Sequence, residues 1–434
     1  MTPRTAAAVT LAVLVIGLVV GMVALTPWRP LGPVPATDVV GPRVSGDFTP
    51  AQVRASEDFV GRARPPGYLG FAAGLLLTVV LGLTPLGAAL VSAVGRVVGG
   101  GWFWQTVLGT VALLLLVRVV TLPFAAWGEA VRRSAGLSTR SWGAWWVDTA
   151  KGFAVSAVLT VVVVVTLVAL ARALPRWWWA PAAAGAALLV VLLSFAYPLV
   201  VEPVFNRFTP MADGALRTSL LDLAARDAVP VDDVLVADAS RRTSTLNAYV
   251  SGFGGSRRIV VYDTLLQQAP DAEVRLVVAH ELGHAKRNDV LVGTLLGAVG
   301  VAAMVVALGL LLTWPALLDN AGASGPGDPR IVALVLALVA IFGFVAGPVQ
   351  NLVSRHIEAR ADVHALDLTG DPLTFSLMQQ RLALTSLADL TPPWLGYVWF
   401  ASHPTTPQRI AMARTWARLH DTTEPGPLVP EVVP

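Results

Sequence analysis

Long apolar stretches, separated by polar segments, run along most of the chain. Seven of them approach the ~20 apolar residues that an α-helix needs to cross a bilayer. They cover residues 6–26, 67–93, 102–124, 152–172, 178–200, 290–314 and 330–353. Tryptophans cluster near several of their ends, as in the interfacial aromatic belt of membrane helices. Their number and length do not fit a soluble core, so the pattern predicts a mainly α-helical, multi-pass membrane protein.

The first stretch has two interpretations, a cleaved signal peptide or a retained membrane helix. Its apolar run is long for a signal peptide, and no clear small-x-small cleavage site comes before Pro27. A retained helix is therefore favoured. This interpretation places five membrane helices before residue 201, an odd number.

The polar segments divide the chain into five parts. Five predicted membrane helices and their loops occupy residues 1–205, and two more helices occupy 290–353. Between them lies a polar insertion, 206–289. A mostly helical polar segment, 354–420, and a disordered-looking tail, 421–434, complete the chain.

The polar insertion predicts a small mixed unit of helix and sheet. Residues 218–225 have helical periodicity, and residues 234–237 have the apolar composition of a short strand. Residues 247–252 and 258–262 predict a β-hairpin with its turn around 254–255. A small β-sheet is therefore expected inside an otherwise helical protein.

Composition agrees with a membrane protein and narrows its chemistry. Hydrophobic residues make up 55% of the chain and charged residues only 14%, against ~25% in soluble domains. The lack of cysteine in the sequence excludes disulfides, iron–sulfur clusters and thiolate zinc sites. A formal net charge of +3 gives no indication of nucleic-acid binding. All six histidines lie beyond residue 279, which places any imidazole chemistry in the C-terminal part.

The strongest chemical signal is the sequence His280-Glu281-Leu282-Gly283-His284. Histidines four residues apart lie on one face of a helix, so both imidazoles can reach one Zn²⁺. Glu281 lies where a carboxylate can take a proton from a metal-bound water. Chance would produce this motif only roughly a few times in a thousand such chains. The motif therefore predicts a zinc hydrolase.

A catalytic zinc ion needs a third protein ligand and an open position for water. The downstream candidates are Glu358, Asp362, His364 and His403. Glu358 and Asp362 are four residues apart and would share one helix face, one to bind the ion and one to support a ligand. The residues alone equally allow a solvated charged face, on which these carboxylates pair with neighbouring arginines.

The placement of arginines predicts the orientation of the membrane helices. One side of the predicted topology, that of the N-terminus, holds only Arg4, Arg96, Arg172, Arg176 and Arg330. The other side holds the arginine-rich loops after the first and third stretches and the segment that contains the histidine motif. The positive-inside rule makes this second side cytoplasmic, so the site is expected to face the cytosol.

At this point the chain resembles a known family, the integral-membrane zinc metalloproteases of the type I CAAX prenyl protease family. The resemblance rests on the histidine motif, on Glu358-x-x-x-Asp362 and on the seven spans. It covers nearly the whole chain and is most specific from about 197 to 410. Further matching segments are 203–210, 247–249, 258–260, 263–266, and Ser402-His403-Pro404 with Arg409.

The resemblance implies a seven-helix membrane protein with a zincin-like catalytic domain that holds one Zn²⁺ per chain. His280, His284 and Glu358 would be the zinc ligands. Asp362 would not bind the ion but would support a ligand residue. Glu281 would be the general base and later the proton donor. The partners would be a peptide or protein substrate and the lipid bilayer, in the plasma membrane if the source is bacterial.

The same resemblance implies the residues that meet the substrate. His403 and Arg409 would lie beside the metal as catalytic residues, with His403 stabilising the oxyanion. Asn247, Ala248 and Tyr249 would lie on a strand that pairs with the backbone of an extended substrate. For Asn247 an ordinary role at the start of a strand is an equally good interpretation of the sequence.

Some positions depart from the family pattern. Arg360 and His364 stand near the third ligand where the family usually has other residues, and Thr405 and Thr406 follow the His-Pro element. These changes spare the ligands but could alter the substrate groove. We therefore expect cleavage of membrane-associated, prenylated or misfolded polypeptides and not strict CAAX processing.

Three alternatives remain open at the level of sequence. A four-span heat-shock-type membrane metalloprotease would share the motif, but five apolar stretches precede residue 206. A transporter could carry the motif by chance, but no inverted repeat is visible. An inactive membrane scaffold would not be expected to keep Glu281.

Overall fold

The computed structural model of the chain describes residues 1–97, 99–197, 200, 202–252 and 257–429. In these ranges the helices that precede the sheet are α1 (Pro3–Leu25), α2 (Pro50–Leu83), α3 (Pro85–Arg96), α4 (Trp102–Ser134), α5 (Trp142–Ala173), α6 (Trp179–Ala196) and α7 (Glu202–Phe205). The sheet and its helices follow as β1 (Phe208–Pro210), α8 (Ala215–Arg226), β2 (Asp233–Ala237), β3 (Ala248–Ser251), β4 (Arg258–Tyr262), α9 (Asp263–Gln268) and α10 (Asp271–Arg287). The last helices are α11 (Asp289–Leu311), α12 (Pro315–Ala321), α13 (Val332–Thr369), α14 (Pro372–Ser386), α15 (Trp394–Phe400) and α16 (Thr406–Leu419).

Seven helices in the described part of the chain are long and apolar enough to cross a membrane: α1, α2, α4, α5, α6, α11 and α13. This confirms the seven predicted membrane helices. The last of them is much longer than a bilayer requires, since α13 has 38 residues. The same helix therefore carries Glu358 and Asp362 beyond its apolar part.

The second apolar stretch, predicted as one crossing over 67–93, is divided between two helices. α2 ends at Leu83, Thr84 is extended (φ −127°, ψ 165°), and Pro85 begins α3. Proline cannot donate a backbone hydrogen bond and disfavours a helical residue before it, so it starts a new helix here. At its other end α2 begins at Pro50, well before the apolar stretch.

Two glycines bring α2 and α3 into close contact with α13. A Cβ atom at Gly82 would lie 2.2 Å from the Cβ of Ala337, and one at Gly87 would lie 2.4 Å from the Cβ of Ala333. Small residues that let backbones approach are a common basis of helix association in lipid. This contact fixes the apolar half of the helix that carries Glu358.

The small sheet has the strand order β1-β2-β4-β3. β2 pairs in parallel with β4, whereas β1–β2 and β3–β4 are antiparallel. The strand predicted over 234–237 and the pairing of the predicted hairpin are confirmed, and its turn at 254–255 lies outside the described residues. The pattern did not indicate β1. β3 forms one edge of the sheet.

The sheet and α10 share one hydrophobic core. Ile259 and Val261 of β4 and Val274, Val278 and Leu282 of α10 are each fully buried in it. Helices α8, α9, α13, α14 and α16 and strands β2 and β3 also contribute to this cluster. Because α10 is enclosed in this way, the motif histidines are held by packing and not only by a metal ion.

The tail assigned by sequence to residues 421–434 is anchored in its described part. Arg414 of α16 forms a fully buried ion pair with Asp47 from the α1–α2 loop. Its Nε donates a hydrogen bond to the carbonyl of Pro425 at 2.9 Å, and the backbone N–H of Val429 donates to the carbonyl of Gly46 at 3.0 Å. The loop, α16 and residues 421–429 therefore pack together.

Candidate active site

The motif histidines lie one turn apart on α10, as their spacing predicts. Their imidazole Nε2 atoms are 3.2 Å apart. Glu358 reaches them from α13, with Oε2 at 3.2 Å from Nε2 of His280 and Oε1 at 3.6 Å from Nε2 of His284. The fold thus brings together the three residues expected to bind a metal.

A carboxylate holds the far side of each imidazole ring. Nδ1 of His280 lies 2.9 Å from Oδ1 of Asp362, and Nδ1 of His284 lies 2.9 Å from Oδ2 of Asp289. A carboxylate accepts a hydrogen bond from Nδ1, which leaves the Nε2 atom of the neutral ring with a free lone pair. Both lone pairs then face Glu358, and this arrangement is repulsive unless a cation lies between them.

The spacing of these atoms fits a metal ion. Ligands at ~2.0–2.1 Å from a tetrahedral Zn²⁺ are about 3.3 Å apart, close to the 3.2–3.6 Å that separates the three donors. Oε2 of Glu358 is buried and has no hydrogen-bond partner in the described part of the chain. Burial lowers the pKa of His280, but the nearby carboxylates of Asp362 and Glu358 outweigh it and raise the pKa. The cluster therefore favours positive charge at its centre.

Arg409 of α16 lies behind the histidines, on Asp362. Its guanidinium forms two hydrogen bonds with the carboxylate, one of them from Nε at 2.7 Å, and Asp362 is fully buried. The guanidinium is also 3.5 Å from Nδ1 of His280. A buried carboxylate needs such a partner to stay charged. The position of Arg409 fits a positioning role, in which it keeps Asp362 ready to orient His280.

The sequence interpretation did not identify Asp289 as part of the site. This residue follows the motif by five positions, and Arg360 of α13 bonds its second carboxylate oxygen. Arg360, which the sequence suggested as a change in the substrate groove, therefore lies behind His284. A carboxylate shortly after the motif was the signal in the sequence that could have indicated this support.

His364 also lies behind the motif helix. Its Nε2 is 2.9 Å from Oδ2 of the buried Asp227, which Lys286 contacts at 2.6 Å through its other oxygen. The imidazole ring fits against Gly283, where a Cβ atom would lie 3.0 Å from it. This contact joins α13 to the back of α10. Thr405, by contrast, caps α16 and lines the cavity beside His403.

Glu281 and His403 are the two residues of the expected site that do not belong to the three-residue cluster or to its carboxylate and arginine supports. Burial raises the pKa of the Glu281 carboxyl. Nε2 of His403 lies 3.3 Å from Oε2 of Glu358, and its side chain is 56% exposed. The side chain of His403 is thus accessible from solvent and also contacts Glu358 of the His-His-Glu cluster.

A cavity of about 550 Å³ opens beside His403. Tyr68 of α2 and Tyr397 and Phe400 of α15 line it, and the ion pair of Arg64 with Asp389 is part of its wall. Its lining therefore joins His403 to residues of α2 and α15.

β3 supplies an open sheet edge near the motif helix. It pairs with β4 on one side and has no strand partner on its other side among the described residues. Asn247 just before it is exposed, whereas Ala248 is buried. The hydroxyl of Tyr249 donates to Oε2 of Glu202 at 3.0 Å. An extended peptide could add to this edge through backbone hydrogen bonds.

These features define the class of protein. The described chain combines helices long and apolar enough to span a membrane with a largely buried His-His-Glu cluster, a glutamate next to its first histidine, and an open strand edge. Together these features characterise an integral-membrane metalloprotease. Residues 210–417 match the model of peptidase family M48, and residues 68–207 match that of the CAAX prenyl protease N-terminal region, described as five membrane helices. The chain belongs to peptidase family M48.

Individual relatives agree with this assignment. The chain is 31% identical over 315 residues to the uncharacterized metalloprotease YhfN of Bacillus subtilis, covering 72% of this chain and 74% of the relative. It is 30% identical over 314 residues to a CAAX prenyl protease 1 homolog of Oryza sativa, covering 69% and 71%. The crystal structure of S. mikatae Ste24p has the same fold, with a TM-score of 0.76, 19% identity, and coverage of 94% of this chain and 98% of that one.

The comparisons confirm the family that the sequence resembled, and the protein is a multi-pass membrane metalloprotease resembling CAAX prenyl protease 1. Five candidate membrane helices precede residue 206 in the described part of the chain, which does not fit a four-span protein. Residues 68–207, which match the N-terminal model, contain four of them, α2 only in part. The match to the peptidase family and the metalloprotease relatives favour a peptidase over the transporter interpretation.

Proposed function

We propose that this protein is a zinc endopeptidase that binds one Zn²⁺ per chain through His280, His284 and Glu358. The observation that carries the proposal is the convergence of two imidazole lone pairs and a buried carboxylate oxygen on one point. Nitrogen and carboxylate donors without thiolate are typical of catalytic zinc. A bound zinc ion would supply Lewis-acid polarisation of the scissile carbonyl and lower the pKa of water.

The protein's own residues then carry out the proton transfers. Glu281 takes a proton from the attacking water and passes it to the leaving amine. Its raised pKa makes it a stronger base than an exposed glutamate. His403 donates a hydrogen bond to the developing oxyanion, an effect worth about 3–4 kcal/mol where such donors have been removed in other enzymes.

The substrate is proposed to bind as an added strand on β3. Asn247, Ala248 and Tyr249 would present their backbone groups to it, and the cavity beside His403 would take side chains next to the scissile bond. Strand addition recognises the backbone, so it tolerates many sequences. We therefore infer that membrane-associated or partly unfolded polypeptides, prenylated or not, are the substrates.

The catalytic unit would consist of residues 206–289 and 354–420 together and would face the cytoplasm, in the plasma membrane of a bacterial source. Two arginine-rich loops contact this unit: the hydroxyl of Thr139 donates to the carbonyl of Ser240 at 2.8 Å, and Asp47 pairs with Arg414. By the positive-inside rule, their side is cytoplasmic.

Metal analysis combined with peptide cleavage tests the proposal. Purified wild type and Glu281→Gln should both contain one zinc per chain, whereas cleavage by Glu281→Gln should fall by roughly 10²–10⁴ because an amide cannot accept the proton. The matched control is Glu57→Gln, at an exposed position of α2. Cleavage by Glu281→Gln within a few-fold of wild type would exclude Glu281 as the base.

A further inference from the structure

A second large cavity lies among the membrane helices, away from His403. Its volume is about 610 Å³, and helices α2, α4, α5 and α13 line it. Most of its wall is aliphatic, with Leu81, Leu113 and Leu336 as examples. The volume lies within the range of about 300–1,000 Å³ typical of small-molecule sites.

One arginine stands in this apolar wall. Arg118 lines the cavity from the apolar part of α4, between two valines. Its Nε is buried and has no hydrogen-bond partner, and no carboxylate within the described ranges forms an ion pair with it. A charged residue among membrane helices is costly unless it is compensated, and such residues commonly mark binding sites.

Three other polar residues of the wall have partners of their own. The carboxylate of Asp148 pairs with Arg140 at 3.4 Å. The hydroxyls of Thr78 and Thr121 donate to backbone carbonyls of their own helices. An anion inside the cavity would therefore find in Arg118 the one positively charged side chain in the described part of the wall.

The cavity continues into a second apolar space of about 540 Å³. Thr78, Val117 and Ala340 line both spaces. The second is lined by aromatic residues, among them Phe71 and Phe344. A long apolar chain whose polar end lies at Arg118 would thus have a continuous apolar surface to follow.

We propose that this cavity binds a single-chain amphiphile with an anionic head group, whose carboxylate or phosphate pairs with Arg118 and whose chain extends towards Phe71 and Phe344. Charge complementarity selects the head, and the aliphatic and aromatic wall selects the chain. A fatty acid and a lysophospholipid share this chemistry. The proposal is independent of the peptidase activity, since neither the metal ligands nor Glu281 take part in it.

Direct binding to delipidated protein in non-ionic detergent tests the head-group claim. The probes are palmitate, 1-palmitoyl-lysophosphatidate and the uncharged hexadecanol, each followed by scintillation proximity and by thermal stability, which a ligand of the folded state raises. At least one anionic probe should bind tenfold or more tightly than hexadecanol. If palmitate binds more tightly than lysophosphatidate, the head group is a carboxylate; the reverse order indicates a phosphate. Equal binding of hexadecanol would overturn the proposal.

Variants test the site. Arg118→Met should weaken the anionic probe at least tenfold, Arg118→Lys should stay within a few-fold of wild type, and Arg96→Met, at an exposed arginine of α3, should have no effect. Gly152 lines the cavity, and a Cβ there meets no atom within 4 Å, so Gly152→Leu should fold and reduce binding by filling the space. Its control is Gly185→Leu, on an exposed face of α6. Unchanged binding in both Arg118→Met and Gly152→Leu would place the probe elsewhere.

Discussion

Nδ1 of His284 lies 2.9 Å from Oδ2 of Asp289, although the two residues belong to different helices. His284 is near the end of α10, and Asp289 is the first residue of the membrane helix α11. A single residue, Asn288, stands between these helices in the left-handed conformation (φ 53°, ψ 40°). Its turn lets the carboxylate reach back to the imidazole, while Arg360 of α13 holds the other oxygen.

Removing the charge of Asp289 should weaken zinc binding. Asp289→Asn leaves the size of the side chain but takes away the negative charge that orients His284, and such changes behind metal ligands typically cost about 10–100-fold in affinity. Zinc affinity measured by competition with a chelator checks this. The control is Asp319→Asn, at an exposed position of α12, and an equal affinity in both variants would assign Asp289 a purely structural role.

Truncation of Glu358 should abolish stable zinc binding. Glu358→Ala leaves two imidazoles, one ligand fewer than catalytic zinc requires. Metal analysis of the purified variant should show a strong loss of zinc, with retained helical content by circular dichroism to show that it folds. Full occupancy in Glu358→Ala would mean that another residue is the third ligand.

The raised pKa of Glu281 should be visible in the acidic limb of the pH profile of kcat/KM. A protonated Glu281 cannot accept a proton, so activity falls as the pH drops through its pKa, and burial moves that pKa above the ordinary ~4.3 of a glutamate. Because protonated imidazoles release metal, zinc content is measured at each pH. If the pKa read from this limb is ~4.3 or lower while zinc is still bound, the prediction is contradicted.

Prenylation of the substrate should matter only modestly. Backbone pairing at β3 does not depend on a lipid, so a farnesylated CAAX peptide and its unprenylated twin should differ by less than ~100-fold in kcat/KM, or about 2.7 kcal/mol of transition-state discrimination. A larger preference for the farnesylated peptide would show that the enzyme is a strict prenyl-protein protease.

The tail should lie in the cytosol together with the catalytic unit. We expect this because the side with the excess of arginines is cytoplasmic by the positive-inside rule. An odd number of spans places the two termini on opposite sides of the membrane. A topology reporter fused after residue 434 should read as cytoplasmic, and one placed before Met1 as extracytoplasmic. An extracytoplasmic signal from the C-terminal fusion would overturn both the span count and the orientation.

Local spacing predicted the centre of the site, because i,i+4 positions share a helix face whatever surrounds them. This is why His280 and His284 could be paired from sequence, and why Glu358 and Asp362 could be placed together. The division at Thr84 was also readable, since Pro85 marks it, but the apolar run continues through the proline and obscured it.

The supporting residues could not be found in the same way. The contact of Asp289 with His284 depends on the backbone conformation of Asn288, and that of His364 with Asp227 joins residues 137 positions apart. Neither contact leaves a periodic signal in the sequence. The edge position of β3 likewise follows from the order of strands in the sheet, and local composition does not fix this order.

Only Asn288 separates α10, which carries the histidine motif, from the membrane helix α11. The thickness of the bilayer can therefore affect the position of the motif. α11 has 23 residues, about 35 Å of helix, and helices longer than the local hydrocarbon core accommodate by tilting. Because Asp289 begins α11 and holds His284, a change of tilt displaces that carboxylate relative to the ring. The length of the lipid acyl chains sets the bilayer thickness and hence the tilt of α11. It thus becomes a variable that acts on the site around His284, and a soluble peptidase has no such variable.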